Sequence, residues 1–81
     1  MVPKKIWDEL SPKEREGWEW LYFFGESVRT REYTNQMSTD DRVARRHLSH
    51  FVELNIAEKT GAGPITAYKA KLPVSGPTTG L

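Results

Sequence analysis

At 81 residues the chain has room for one domain with a modest core, and 37% hydrophobic against 28% charged residues fits a globular fold. The absence of cysteine excludes a disulfide framework, a thiolate metal site and a cysteine nucleophile. No apolar run approaches the ~18 residues of a membrane span, and the charged, Pro3-bearing start from Met1 to Leu10 is unlike a secretory signal. The expectation is a cytoplasmic protein with no membrane partner. A formal net charge of +1 is small for a nucleic-acid binder, but it is unevenly spread. Residues 1–28 carry four basic and six acidic side chains, and residues 29–81 carry eight and five. The positive part coincides with the elements that would face a polyanion.

In chain order, Ile6, Trp7 and Leu10 fall on one side of a short N-terminal helical turn that can pack on the body. Ser11-Pro12-Lys13-Glu14 is a helix start: Ser11 caps, Pro12 suits the first turn, and Glu14 completes a capping box. That helix runs to about Phe24 and stops at Gly25. Its apolar pattern is overfull, because Trp18, Trp20, Tyr22, Phe23 and Phe24 cannot all enter so small a core. Ser27-Val28-Arg29 has room for a short β segment. Thr30 is placed to cap a helix running through Tyr33 to about Met37. Ser38-Thr39-Asp40 makes a turn, with Asp40 as the N-cap of the next helix. From Asp41 to Leu54 the apolar residues Ala44, Leu48, Phe51 and Val52 keep helical spacing, and Asn55 can take the left-handed conformation that ends it. Ile56 to Lys59 reads as a strand. A glycine-rich turn over Thr60 to Pro64 follows, and a returning strand from Ile65 to Ala70 turns Tyr68 inward. Pro73 to Leu81 is mostly Pro, Gly, Ser and Thr, the composition of a tail or linker.

The arginine-bearing helix is the leading candidate site. With Ala44, Leu48, Phe51 and Val52 inward, Arg42, Arg45, Arg46 and Ser49 lie outward in its first turns. Arginine forks onto guanine or pairs with phosphate, and serine can contact either. A solvated helix face would look the same, and Asp40 and Asp41 bring negative charge close to it. Asp40 has a capping role; Asp41 has none evident from sequence. Arg31 and Thr39 would touch the nucleic-acid backbone near the turn, and Lys59, Gly61 and Gly63 would do so from the hairpin. The hairpin glycines alone are equally those of an ordinary turn.

The other candidates are weaker. His47 and His50 are three apart on one helix, but no third metal ligand accompanies them; His47 sits beside the core face and His50 nearer the surface. No nucleophile, base and orienting group can be assembled, so neither enzymatic activity nor a cofactor or metal is expected. Trp18, Trp20, Tyr22 and Phe23 either crowd the core or form a docking surface for another domain or a second copy.

Residues from about Leu10 to Ala70 resemble the winged-helix domains near the C-termini of Fic-family proteins and those of helicase-related transcriptional regulators. The resemblance is carried by Thr30-Arg31-Glu32-Tyr33, by Ala44-Arg45-Arg46-His47-Leu48, by Phe51-Val52-Glu53-Leu54-Asn55-Ile56 and by Gly61-Ala62-Gly63-Pro64-Ile65-Thr66-Ala67-Tyr68. His47 stands where Asp is usual, Asn55 where Gly is usual, and Ser38-Thr39 where a Gly-Val turn is common. The Fic catalytic motif is absent. The resemblance implies an α+β, mainly helical fold: a winged helix-turn-helix of three main helices with a C-terminal β-hairpin wing. It would span residues 11–72, with residues 1–10 packed on it and 73–81 as a tail. It further implies double-stranded DNA as partner in transcription regulation, with the 41–54 helix in the major groove and a homodimer or an attached domain adding affinity. The alternative is a protein-interaction or regulatory module docking through the aromatic first helix.

Overall fold

A computed structural model describes residues 2–61 and 66–72. The described residues form a small α+β domain of four helices and a three-stranded antiparallel sheet. Helix α1 (Lys4–Trp7) precedes α2 (Pro12–Phe24), strand β1 (Val28–Arg29), helices α3 (Thr30–Met37) and α4 (Asp41–Glu53), and strands β2 (Ala57–Thr60) and β3 (Ala67–Ala70). Among the described residues no helix is long and apolar enough to cross a membrane.

Local chemistry explains most boundaries. The Ser11 hydroxyl accepts from the Glu14 N–H while the Glu14 carboxylate accepts from the Ser11 N–H, satisfying two donors that a helix start otherwise leaves free. Gly25 ends α2 at φ 78°, a left-handed conformation that costs glycine least. Asp40 caps α4, accepting from the Val43 N–H at 2.9 Å. Asn55 follows α4 at φ 63°, as its short amide side chain tolerates.

Several expectations need correction. The cap of α3 is Arg29, not Thr30, which is already helical; Glu32 reaches back to accept from the Arg29 N–H at 2.9 Å. Helix α4 ends at Glu53, one residue before Leu54. The second strand is Ala57–Thr60, since the Ile56 N–H is spent on the Phe51 carbonyl at the end of α4, and the returning strand is Ala67–Ala70 among the described residues. The ribbon is not two-stranded: β1 adds to it, giving the order β1-β3-β2 with Val28 opposite Tyr68 and Lys59 opposite the same tyrosine. The turn expected over Thr60 to Pro64 lies partly, and the 73–81 tail wholly, outside the described residues.

The core lies where α2, α3 and α4 converge on the inner face of the sheet. Tyr33, Phe51, Leu21, Leu48, Ile56 and Val28 are its largest fully buried side chains. Each removes apolar surface from water at roughly 25 cal/mol per Å², about 1.5–3 kcal/mol per side chain. Residues Ala44, Leu48 and Phe51 present the buried stripe of α4 predicted from their spacing. Trp18 is 6% exposed, and its indole N–H donates to the Ile56 carbonyl at 2.8 Å, pinning α2 to the start of β2.

Candidate nucleic-acid interface

Helix α4 is held from three sides, and this decides which of its residues remain available. The spacing that turns Ala44, Leu48 and Phe51 inward leaves Arg42, Arg45, Arg46 and Ser49 exposed on the opposite face. Its N-terminus is tied to α3 by the Thr34 hydroxyl, which donates to the Asp41 carboxylate at 3.1 Å. Asp41 thus has a role that the sequence left unassigned: it bridges the two helices. Ser38 connects them at φ 52°, and its N–H closes the end of α3 on the Asn35 carbonyl.

The third attachment is polar and buried. The Glu14 carboxylate accepts from His50 Nδ1 at 2.6 Å, linking the start of α2 to the second half of α4. Three residues earlier, His47 Nδ1 lies 3.0 Å from the Tyr33 hydroxyl of α3. Burial pushes the Glu14 carboxyl up, but the Ser11 N–H and His50 outweigh it and hold it below the usual carboxylate range. Burial lowers the His47 imidazole, opposed by the nearby Glu14 charge and aided by His50, Arg46 and Lys13. Burial also raises the Tyr33 phenol above its usual range, keeping it protonated. His50 is half-buried, nearer the surface than His47 as expected, and is held there by Glu14.

Beside this network, Lys13, Met37, Ser38, Thr39, Val43 and His47 line a small pocket between the start of α2 and the α3–α4 turn. A second, more open cleft lies between Arg29, Thr30, Arg31, Glu32 and Thr66, where α3 begins beside β3. Among the described residues the two ion pairs are Arg15 with Asp8 and His50 with Glu14. Arg42, Arg45 and Arg46 are engaged by neither.

The chain matches no protein-family model, no curated protein and no solved structure. The structure brings Arg42, Arg45, Arg46 and Ser49 onto one exposed face, with Thr39 half-buried at the turn before it. Arg31 stands apart in the cleft at the start of α3. Lys59 is exposed and shares its side of the sheet with Ala57 and Tyr68. Gly61 takes φ 84°, and Gly63 lies outside the described residues.

The aromatic candidates separate into two groups. Trp18 is withdrawn from any docking surface by burial and by its bond to Ile56, and Trp20 is half-buried against Tyr33 and Phe24. Tyr22 stacks on Trp18 at 5.0 Å between ring centroids and remains 44% exposed, while Phe23 is 82% exposed. Among the described residues no group of three or more His, Cys, Asp or Glu side chains is placed to hold a metal ion.

Lys13 and Ser38, which line the small pocket, were not singled out from the sequence. The burial of Glu14 was also missed, although Glu14, Gly17, Trp18 and Leu21 keep the i, i+3, i+4, i+7 spacing of a core-facing stripe.

Proposed function

We propose that the chain is a winged helix that binds double-stranded DNA, without enzymatic activity, in transcription regulation in the cytoplasm. Helix α4 would enter the major groove. The observation that carries this reading is the single exposed face holding Arg42, Arg45, Arg46 and Ser49, unengaged by any acidic group among the described residues. The element order supports it: α2, β1, α3, turn, α4 and then the β2–β3 hairpin is the order expected of a winged helix-turn-helix. Arginines in the first turns of the second helix meet base edges or phosphates in that arrangement. Arg31 and Thr39 would contact the backbone, and Lys59 with Gly61 would reach flanking phosphates from the hairpin. A homodimer or an attached domain would raise the affinity of so weakly charged a unit.

The test is an amide NMR titration with random-sequence duplex DNA at low salt, repeated at higher salt. Shifts at residues 39–50 and 59–61 that fade as salt rises are expected, because phosphate contacts release counterions. No shifts at low salt would overturn the reading.

A second reading, protein docking, is favoured by Tyr22, Phe23 and Phe24, which stand exposed in succession at the end of α2. Under it, Phe23→Ser abolishes a partner complex and leaves DNA affinity unchanged. A partner-free, strictly monomeric protein that binds DNA counts against it.

A further inference from the structure

The pocket between the start of α2 and the α3–α4 turn has a chemistry that the arginine face does not explain. Its polar lining residues are Lys13, Ser38, Thr39 and His47, with Met37 and Val43 as the apolar ones. His47 is 9% exposed, so a ring nitrogen left without a partner there is a buried polar group calling for one. The tautomer decides what kind. The Tyr33 hydroxyl is protonated and has one proton to give; among the described residues its only hydrogen-bond partner is His47 Nδ1. If Nδ1–H were the donor, the phenol hydrogen would have no acceptor among the described residues; the assignment that leaves fewer polar groups orphaned makes Nδ1 the acceptor and puts the hydrogen on Nε2. Neutral His47 is thus a donor through Nε2, on the ring that lines the pocket.

We propose that this pocket is a binding site for a phosphate-class oxyanion, held by His47 Nε2–H, the Lys13 ammonium and the Ser38 and Thr39 hydroxyls. All four can donate, and a phosphate-class oxyanion presents mainly acceptors. The acidic groups nearby are committed elsewhere: Asp40 accepts from the Val43 N–H, Asp41 from the Thr34 hydroxyl, and Glu14 from Ser11 and His50. Their negative charge opposes an anion, and the Lys13 and Arg46 charges, both close enough to act on His47, offset part of it. Tyr33 is a positioning residue, fixing the tautomer without touching the ligand. The oxyanion can be free phosphate or a backbone phosphodiester of a duplex; the second form rests on the DNA-binding reading.

The experiment uses the full chain, labelled for NMR, with the His47 ring nitrogens and the Ser38 and Thr39 amides as probes. Inorganic phosphate is titrated against chloride at matched ionic strength, and a short random duplex is titrated separately at low salt. The expected result is a bare Nδ1 and a protonated Nε2 in the free protein, with saturable phosphate shifts at all three residues. Lys13→Ala, an exposed substitution, should weaken phosphate binding about fivefold, as loss of one charge-assisted hydrogen bond implies, and Lys13→Arg should restore it. Duplex shifts at the same probes identify the ligand as a backbone phosphate. Phosphate binding with an inert duplex leaves the pocket standing as a free-phosphate site and removes the DNA reading. Duplex shifts at residues 42–46, 48 and 49 with none at Ser38, Thr39 or His47 in either titration overturn the pocket and spare the DNA reading. A protonated Nδ1, or no response to either ligand, overturns the proposal.

Discussion

The Tyr33 hydroxyl occupies the space where a β-carbon on Gly17 would stand. Tyr33 Cζ would also lie only 2.7 Å from that carbon, closer than van der Waals contact allows. Helix α2 therefore carries a residue of poor helix propensity on its buried face because α3 delivers a phenol to that spot. Gly17→Ala gains the intrinsic preference of alanine, about 1 kcal/mol. It must also displace a fully buried tyrosine bonded to His47. We expect a net loss of about 1–3 kcal/mol, read as a lower urea midpoint. Tyr33→Phe in the Gly17→Ala background should recover only part of it, since Cζ remains too close. A Gly17→Ala variant as stable as the parent would show that the contact yields easily.

The indole N–H of Trp18 and the backbone N–H of Lys71 both donate to the Ile56 carbonyl. Trp18→Phe removes one donor, loses ring area and breaks the stack on Tyr22, but the carbonyl keeps Lys71. An orphaned buried carbonyl would cost about 1–3 kcal/mol; here the hydrogen-bond part should fall at the low end of that range. Chemical denaturation followed by circular dichroism measures the total. Pairing Trp18→Phe with Tyr22→Ala separates the ring stack from the hydrogen bond through their coupling energy.

Acid should destabilise the domain in two windows. The His47 imidazole is lowered in the fold from its usual value of 6.5, so the unfolded chain takes up that proton first. The stability it contributes is present above that value and is lost as pH falls through the lower folded one. The Glu14 carboxyl is also lowered, from 4.5, so its contribution is present above that value and is lost as pH falls further, through its folded pKa. His47→Gln should flatten the upper window and leave the lower one, and Glu14→Gln should do the reverse at a cost in overall stability. Denaturation midpoints collected across the acid range check both signs. Stability that rises on acidification through the upper window would contradict the buried, neutral state of His47.

The double substitution Arg45→Ala, Arg46→Ala tests the exposed face without touching the core. Both side chains are exposed and unengaged by the ion pairs of the described residues, so stability should stay within about 0.5 kcal/mol per site. Each arginine that meets a base or phosphate contributes about 1–3 kcal/mol, so duplex affinity at low salt should fall by about two orders of magnitude. Fluorescence anisotropy with a labelled duplex measures it. A variant that binds as the parent does would move attention to Tyr22 and Phe23.

Local signals made most of the fold legible. Ser11-Pro12-Lys13-Glu14, Asp40 and Asn55 each mark a helix boundary through their own hydrogen bonds or backbone angle, and the structure uses all three. Ala44, Leu48 and Phe51 declare their buried stripe by spacing alone. The partners of long-range polar contacts were not legible. His50 and Glu14 are 36 positions apart and Trp18 and Ile56 are 38, so no local pattern brings them together. For the same reason Trp18 looked like one more surplus aromatic, and β1 looked like an isolated segment until Tyr68 supplied its partner. The outward face of α4 was read correctly as geometry, because it is the complement of a stripe that the sequence does encode. Which molecule meets that face is a property of a second surface, and the chain carries no local pattern for it.

Ser38 links these arguments, because it is a serine at φ 52° and also lines the proposed oxyanion pocket. A non-glycine residue in the left-handed region costs roughly 1–2 kcal/mol, offset by the larger entropy that glycine loses on folding. Ser38→Gly should therefore be neutral to stabilising, by up to about 1 kcal/mol, and should raise the melting temperature. The same change deletes a hydroxyl from the pocket, so phosphate affinity should fall while stability holds or rises. Calorimetry on the free protein and a phosphate titration on the same sample read the two effects separately. Gain in both would mean that the turn tolerates serine for a reason other than its hydroxyl. Opposite movement is the result expected of a residue kept in a strained conformation for the group it presents.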